Sequence, residues 1–360
     1  MLRNIYINST PTHVLRIMNN QLSLLPSPAH LQQIADIESL SASLDKSLRT
    51  LSGKKVFFRS DFSKESIPLQ SMESIDRPIP YEVRNFSERP QERRLVGIDS
   101  SCALIGETED GSIFAGRVAM VSTSKSENRS HYRAGPFIFY MNQETLGDEL
   151  SKLPRKAIRA ILSDTCLAER FVRISLERSA QLQAAKMNTN SIIMADGSIR
   201  SSMLETRRYS LREVELAAGE NSNQILGFSK ASSLRFVSSA GSFLQSIGKS
   251  KVYFDITESL RVFMHCTESR VLVTRFSPNS QVFRIDLSRA NTEEDSQVLA
   301  DLAYNDLFFR GYPESLRLAH HLSVFDSFTI SSIRSYLSKK FKLVRIASDD
   351  LRATILGKLV

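Results

Sequence analysis

Two short apolar runs in this chain end on an aspartate and a serine. They are Leu95-Val96-Gly97-Ile98-Asp99-Ser100-Ser101 and Ile192-Ile193-Met194-Ala195-Asp196-Gly197-Ser198. Unbroken runs of this length predict interior strands of an α/β sheet, covered on both faces. Ile113 to Val121 alternates in polarity and predicts a hairpin partner for strand 94–99 across the turn Glu109-Asp110-Gly111. Ser124 to Ser130 is polar and loop-like, and Pro136 to Met141 predicts a third strand. Residues 155–186 have helical periodicity, with Phe171, Ile174, Leu176, Ala180 and Leu182 among the apolar positions. A strand at 191–195 follows. Ile225 to Lys230 predicts another, and Val271 to Phe276 with Val282 to Leu287 predicts a hairpin around Ser277-Pro278-Asn279-Ser280. The C-terminal stretch is mostly helical and ends in a polar helix and a strand-like piece.

Residues 1–90 read as an accessory helical region. Leu31, Ile34, Ile37, Leu40, Leu44 and Leu48 form a helical stripe within His30 to Leu51. Ser60 to Pro90 is rich in Ser, Pro and charge, and Pro68, Pro78, Pro80 and Pro90 break any long element there. Residues 91–360 then carry the regular domain.

At 360 residues, 41% apolar and 24% charged, the composition is that of a soluble globular protein. The chain has no apolar run long enough to predict a membrane span, and Met1-Leu2-Arg3-Asn4-Ile5 has no signal-peptide core. Cys102, Cys166 and Cys266 are few, odd in number and far apart. That argues against a disulfide framework or a zinc site and for a reducing, cytoplasmic setting. A net charge of +8, from 47 basic and 39 acidic residues, favours polyanionic partners such as nucleic acid.

A carboxylate at the carboxyl end of an interior strand lies where ligands and metals collect in open α/β folds. Taken singly, Asp-Ser and Asp-Gly are ordinary turn starters. Two such carboxylates on neighbouring strands would instead make a hard-cation site of the kind metal-dependent phosphodiester hydrolysis requires.

The most specific local signal is Arg310-Gly311-Tyr312-Pro313-Glu314-Ser315-Leu316-Arg317-Leu318-Ala319-His320. With Asp99, Asp196 and Lys230 in this order, it resembles the NurA nucleases, over residues 93 to about 325. The first motif departs from the family's Asp-Gly-Ser, reading Asp99-Ser100-Ser101. The resemblance implies an α/β, ribonuclease-H-like mixed sheet flanked by helices, with a helical N-terminal extension and a helical C-terminal part. It also implies a Mn²⁺- or Mg²⁺-dependent nuclease acting 5′ to 3′ on single- and double-stranded DNA, with some endonuclease activity. The expected partners are DNA, a HerA-like hexameric ATPase in DNA end resection, and a second copy of the chain; no membrane is expected.

By the same resemblance Asp99, Glu177, Asp196 and His320 are metal ligands, and Lys230 and Tyr312 join them in the catalytic set. Glu169 is an alternative to Glu177; the two lie 27 and 19 residues before Asp196. Glu177 is favoured because it sits nearer the strand. The side chains also have plainer readings: a solvated helix face for Glu177, a packed or surface imidazole for His320, a capping aromatic for Tyr312, an exposed lysine for Lys230. His320 and His321 point about 100° apart on a helix, so at most one of them faces the site. As a ligand His320 must be neutral, so activity should fall at acid pH. Arg155, Lys156, Arg159, Arg170, Arg173, Arg178, Arg200, Arg207, Arg208 and Arg212 are candidates for tracking a DNA backbone, though most read equally as solvated helix faces. No stretch interleaves aromatic and basic residues strongly enough to name a base-stacking platform. A non-catalytic DNA-binding or scaffold subunit on the same fold is the competing reading.

Overall fold

The structure, a computed structural model, describes residues 48–56, 58, 82–144, 155–206, 209–229, 235–264, 269–278 and 280–345. Two-residue strands β1 (Lys55–Val56) and β2 (Arg84–Asn85) come first. Three long strands follow: β3 (Leu95–Glu107), β4 (Gly111–Thr123) and β5 (Ser130–Asn142), an antiparallel meander. Helices α1 (Arg155–Ser163) and α2 (Thr165–Met187) lead to β6 (Ile192–Asp196), which runs parallel to β3. Helix α3 (Leu211–Glu220) crosses over to β7 (Gln224–Ser229), parallel to β6. Next come α4 (Arg235–Ser246), β8 (Val252–Asp255), α5 (Thr257–Met264) and the hairpin β9 (Ser269–Arg275) with β10 (Phe283–Ser288). The chain continues through α6 (Asp295–Asn305), a small hairpin β11 (Phe308–Phe309) and β12 (Tyr312–Pro313), α7 (Glu314–Ser323) and α8 (Ser327–Lys340). It then reaches β13 (Val344–Arg345), the partner of β1.

The main sheet has the order β2-β8-β9-β10-β7-β6-β3-β4-β5. Its half β5-β4-β3-β6-β7, an antiparallel meander followed by two parallel strands, is the ribonuclease-H-like core; the remaining strands extend the same sheet. Side chains alternate between its faces. Val96 and Ile98 of β3 pack with Phe171, Val172 and Leu176 of α2 and Val214 of α3. Leu95, with Met194 of β6 and Phe228 of β7, packs on the opposite face against Val298 of α6 and Leu316 of α7. The parallel strands are therefore buried on both sides, which is why they read as unbroken apolar runs.

Two departures from the sequence reading matter here. Strand 94–99 does not end at Asp99; β3 continues to Glu107 because β4 keeps pairing with it, from Asp99 opposite Ala119 to Glu107 opposite Ser112. Cross-strand pairing overrides the turn-forming tendency of Asp-Ser. The strand that stops is its parallel neighbour β6, at Asp196. The second departure is α3, α4, β8 and α5, which the hydrophobic pattern did not predict. All are short, and runs of a few apolar residues do not separate helix from strand.

The expected helical stripe over residues 30–47 and most of the Ser- and Pro-rich stretch, residues 59–81, lie outside the described residues. Leu48, Leu51 and Val56 join Ile105, Ile113 and Tyr140 of the long strands and Ile330, Ile333 and Leu337 of α8 in one apolar cluster. Among the described residues no helix is long and apolar enough to cross a membrane.

Candidate active site

Asp99 shares its face of β3 with Leu95 and Gly97, the face covered by α7. Gly97 sets the approach of that helix: a Cβ there would lie 2.9 Å from Leu316 N and 2.9 Å from the Ser315 carbonyl carbon, so only glycine lets the backbones touch. The first turn of α7 is held from a distance. Pro313, at its N-cap, offers no side-chain bond. The buried Asp306 carboxylate instead accepts from Ser315 N (3.0 Å) and Ser315 Oγ (2.6 Å), which complements the positive end of the helix. At the other end Ser101 Oγ donates to the Ser323 carbonyl, and Arg117 Nη1 donates to the Val324 carbonyl at 2.9 Å.

With α7 pinned at both ends, its last turn meets Asp99. His320 Nδ1 and Ser323 Oγ both donate to Asp99 Oδ2, at 2.8 Å and 3.1 Å. The Asp99 side chain is 3% exposed and that of His320 46%, so the carboxylate is reached past the imidazole. His321 lies beside His320, with ring centroids 6.0 Å apart, and makes no hydrogen bond to Asp99 among the described residues.

Asp196 arrives along β6. The β3–β6 ladder is in register through Ile98 opposite Ala195, so Asp99 and Asp196 come next on the same face. Gly197, at φ 119°, turns the chain away immediately afterwards. One ligand atom each from Asp99, Asp196 and His320 lie within 4.8 Å of one another. Tyr312 is buried against Phe228 and Phe283, with ring centroids 5.2 Å and 5.8 Å away. Burial, then the charge and hydrogen bond of Asp196, then the charge of Asp99, hold its phenol well above the usual tyrosine range. Tyr312 therefore stays protonated, with its hydroxyl beside Asp196.

Glu177 reaches the site from the other side of the sheet. Ser100, one residue beyond Asp99, points toward α2 and donates to Glu177 Oε1 at 2.8 Å, with Arg173 Nη2 3.6 Å from the same oxygen. Burial raises the Glu177 carboxyl above its ordinary value; Arg173 and the Ser100 bond oppose that shift, and Asp99 adds to it. Glu177 thus feels Asp99 but lies outside the group of three. Glu169 lies two turns earlier on α2, beside Cys102, whose thiol is pushed up by burial first and by Glu169 second. Lys230 lies outside the described residues.

The basic side chains divide. Arg155, Lys156, Arg159, Arg170, Arg173, Arg200 and Arg212 are exposed, whereas Arg207 and Arg208 lie outside the described residues. Arg178 is buried and committed to the fold. It pairs with Glu205 at 2.8 Å and donates to Gln181 Oε1 at 2.7 Å and the Arg200 carbonyl at 2.8 Å. It is therefore no candidate for a DNA contact, because leaving Glu205 would strand a buried charge. Ser100, Ser323 and Asp306, which orient the candidate side chains or the helix that carries them, were not singled out from the sequence. Only the serine pair beside Asp99 hinted at them.

Two carboxylates and an imidazole on one face suit a hard-to-borderline divalent cation such as Mn²⁺ or Mg²⁺. Like charges this close and this shielded from water are costly without one.

A family model described as the NurA domain matches residues 93–325. The fold is similar to the crystal structure of the NurA nuclease from Sulfolobus solfataricus, at 14% identity and TM-score 0.43, covering 73% of this chain and 87% of that one. A second NurA crystal structure matches at 9% identity and TM-score 0.41, covering 70% and 90%. The catalytic domain of human endonuclease V matches at 13% identity and TM-score 0.29, covering 72% and 92%. No curated protein matches the sequence significantly. With most of the sheet and all of the Asp99, Asp196 and His320 cluster inside the matched segment, the chain belongs to the NurA family.

Proposed function

We propose that this protein is a divalent-metal-dependent DNA nuclease. The observation that carries the reading is the convergence of Asp99, Asp196 and His320 ligand atoms within 4.8 Å, from two adjacent parallel strands and a helix. Asp99, Asp196 and His320 would hold the cation, with Glu177 as a further ligand on the α2 side. Bound there, Mn²⁺ or Mg²⁺ supplies charge neutralisation at phosphorus and an acidified water. The chain's own residues do the rest. Ser323 and His320 fix one Asp99 oxygen, Tyr312 orients Asp196, and Ser100 and Arg173 keep Glu177 against β3. Arg155, Lys156, Arg159 and Arg170 on α1 and α2 track the phosphate backbone.

Family membership supports the finer reading: 5′-to-3′ exonuclease action on single- and double-stranded DNA with some endonuclease activity, in DNA end resection. The same support extends to a homodimer docked on a HerA-type hexameric ATPase, in the cytoplasm.

The test is degradation of end-labelled linear duplex and single strands with Mn²⁺, Mg²⁺ or EDTA, beside Asp196→Ala. Metal-dependent products that vanish in the variant are expected, and the label position gives polarity. A folded protein that binds DNA but cleaves with no metal, alone or with an ATPase ring, would be a DNA-binding scaffold instead.

A further inference from the structure

Next to the carboxylates the chain builds a tight hairpin, and the hydrolysis scheme above uses only its Tyr312. β11 and β12 pair Phe309 with Tyr312. Arg310 and Gly311 at the tip take φ angles of 54° and 88°, the pair of left-handed residues that a two-residue turn requires. Pro313 leads straight into α7, so the hairpin is rigidly joined to the helix that carries His320. Tyr312 turns inward to Asp196, whereas Phe309 stays outside at 57% exposed.

Two guanidinium groups flank the Phe309 ring. Arg310 Cζ lies 5.5 Å and Arg317 Cζ 5.6 Å from its centroid. Glu314 grips Arg317 through two bonds of 2.6 Å, which fixes the guanidinium beside the ring. Arg310 forms no ion pair among the described residues. Arg317 Nη1 lies 3.5 Å from His321 Nε2, and the His321 ring centroid is 6.0 Å from that of His320. Aromatic ring, guanidinium and imidazoles therefore form one strip leading from solvent to Asp99.

The geometry points to Phe309 as a stacking platform for the unpaired terminal base of a DNA strand, with Arg310 on the adjoining phosphate. A base offers a π-face to the ring while its backbone brings an anion for Arg310, and stacking of this kind tolerates any base. An unpaired base can turn its face onto the ring without breaking a base pair, so the platform favours single-stranded or frayed ends. Its substrate class rests on the nuclease reading above, but its test does not require cleavage.

The experiment is fluorescence and affinity of a single strand with terminal 2-aminopurine, in EDTA, in the Asp196→Ala background. The expected result is quenching on binding that disappears with Phe309→Ala and survives with Phe309→Trp, with affinity falling about tenfold for Phe309→Ala. An abasic terminus should remove the difference between the Phe309→Ala protein and its parent. In the cleavage-competent protein KM should rise more than kcat falls. Unchanged quenching and affinity in Phe309→Ala would overturn the proposal. So would retained DNA stacking accompanied by lost binding of a protein partner, which would make the hairpin a protein interface. Stacking by a protein that cleaves with no metal would leave the platform standing and sink only the nuclease reading.

Discussion

His320 Nδ1 lies 2.8 Å from Asp99 Oδ2, and the bond joins the middle of the central strand β3 to the last turn of α7. It sets the mouth of the site, because the half-exposed imidazole covers a carboxylate that is itself almost sealed from water. Replacing His320 with Ala removes one proposed ligand and one orienting bond together. The expected loss of metal-dependent cleavage is roughly 10–100-fold, with a higher Mn²⁺ concentration needed for half-maximal rate. An unchanged Mn²⁺ titration would remove His320 from the ligand set.

Glu177→Gln separates stability from function. Burial holds the Glu177 carboxyl above its ordinary value, so ionising it costs folding free energy. Such a group stabilises the fold fully below its unfolded pKa, about 4.3, and the contribution is lost as pH rises through the higher folded value. Metal-free Glu177→Gln should therefore melt above wild type at neutral and alkaline pH and alongside it near pH 4. Cleavage by the variant should fall. A lower melting temperature at about pH 8 would mean that the Ser100 and Arg173 contacts outweigh burial.

Gly97→Ala acts at the contact between β3 and α7. A methyl group 2.9 Å from the Leu316 and Ser315 backbone must push the helix off the sheet. Overpacking of this kind costs about 1–3 kcal/mol, and it carries His320 away from Asp99. Thermal unfolding and cleavage should both suffer, with the activity loss persisting well below the melting temperature.

Tyr312→Phe keeps the ring between Phe228 and Phe283 and deletes only the hydroxyl beside Asp196. The aromatic packing predicts little change in melting temperature. The freed carboxylate predicts a fall in kcat/KM of about tenfold, some 1.4 kcal/mol of transition-state stabilisation. Steady-state kinetics on end-labelled DNA decide it.

Asp110 holds the acid-sensitive end of the β3–β4 hairpin. Burial opposes its charge, but bonds from Lys54, Tyr140, Asn142 and Thr108 win and hold its carboxyl far below the usual range. A depressed carboxyl stabilises the fold above its unfolded pKa, about 3.9, and the contribution disappears as pH falls through the folded value. The side chain is 47% exposed, so Asp110→Asn should cost under about 1 kcal/mol at neutral pH. The difference from wild type should vanish in acid, read by denaturant titration at both pH values.

Much of this protein was written locally. The two buried runs, the hairpin after the first, the amphipathic stretch 155–186 and the Tyr312 to His320 stretch are statements about neighbours in sequence. Periodicity and turn chemistry are enough to read them. Asp99 and Asp196 were legible for the same reason: an aspartate closing an apolar run breaks a pattern that burial otherwise enforces. Arg178 shows the limit. A basic residue on a helix looks alike in sequence whether it faces water or, as here, lies buried against Glu205.

The sequence by itself determined which strands are interior, which carboxylates follow their apolar runs and which family the pattern resembles, because these follow from local hydrophobicity and spacing. The tertiary structure alone decided where β3 stops, that Glu177 approaches through Ser100, and that Phe309, Arg310 and Arg317 gather beside the site. Each of these depends on pairings between residues far apart in the chain, whose energies come from packing and hydrogen bonds that no local window contains.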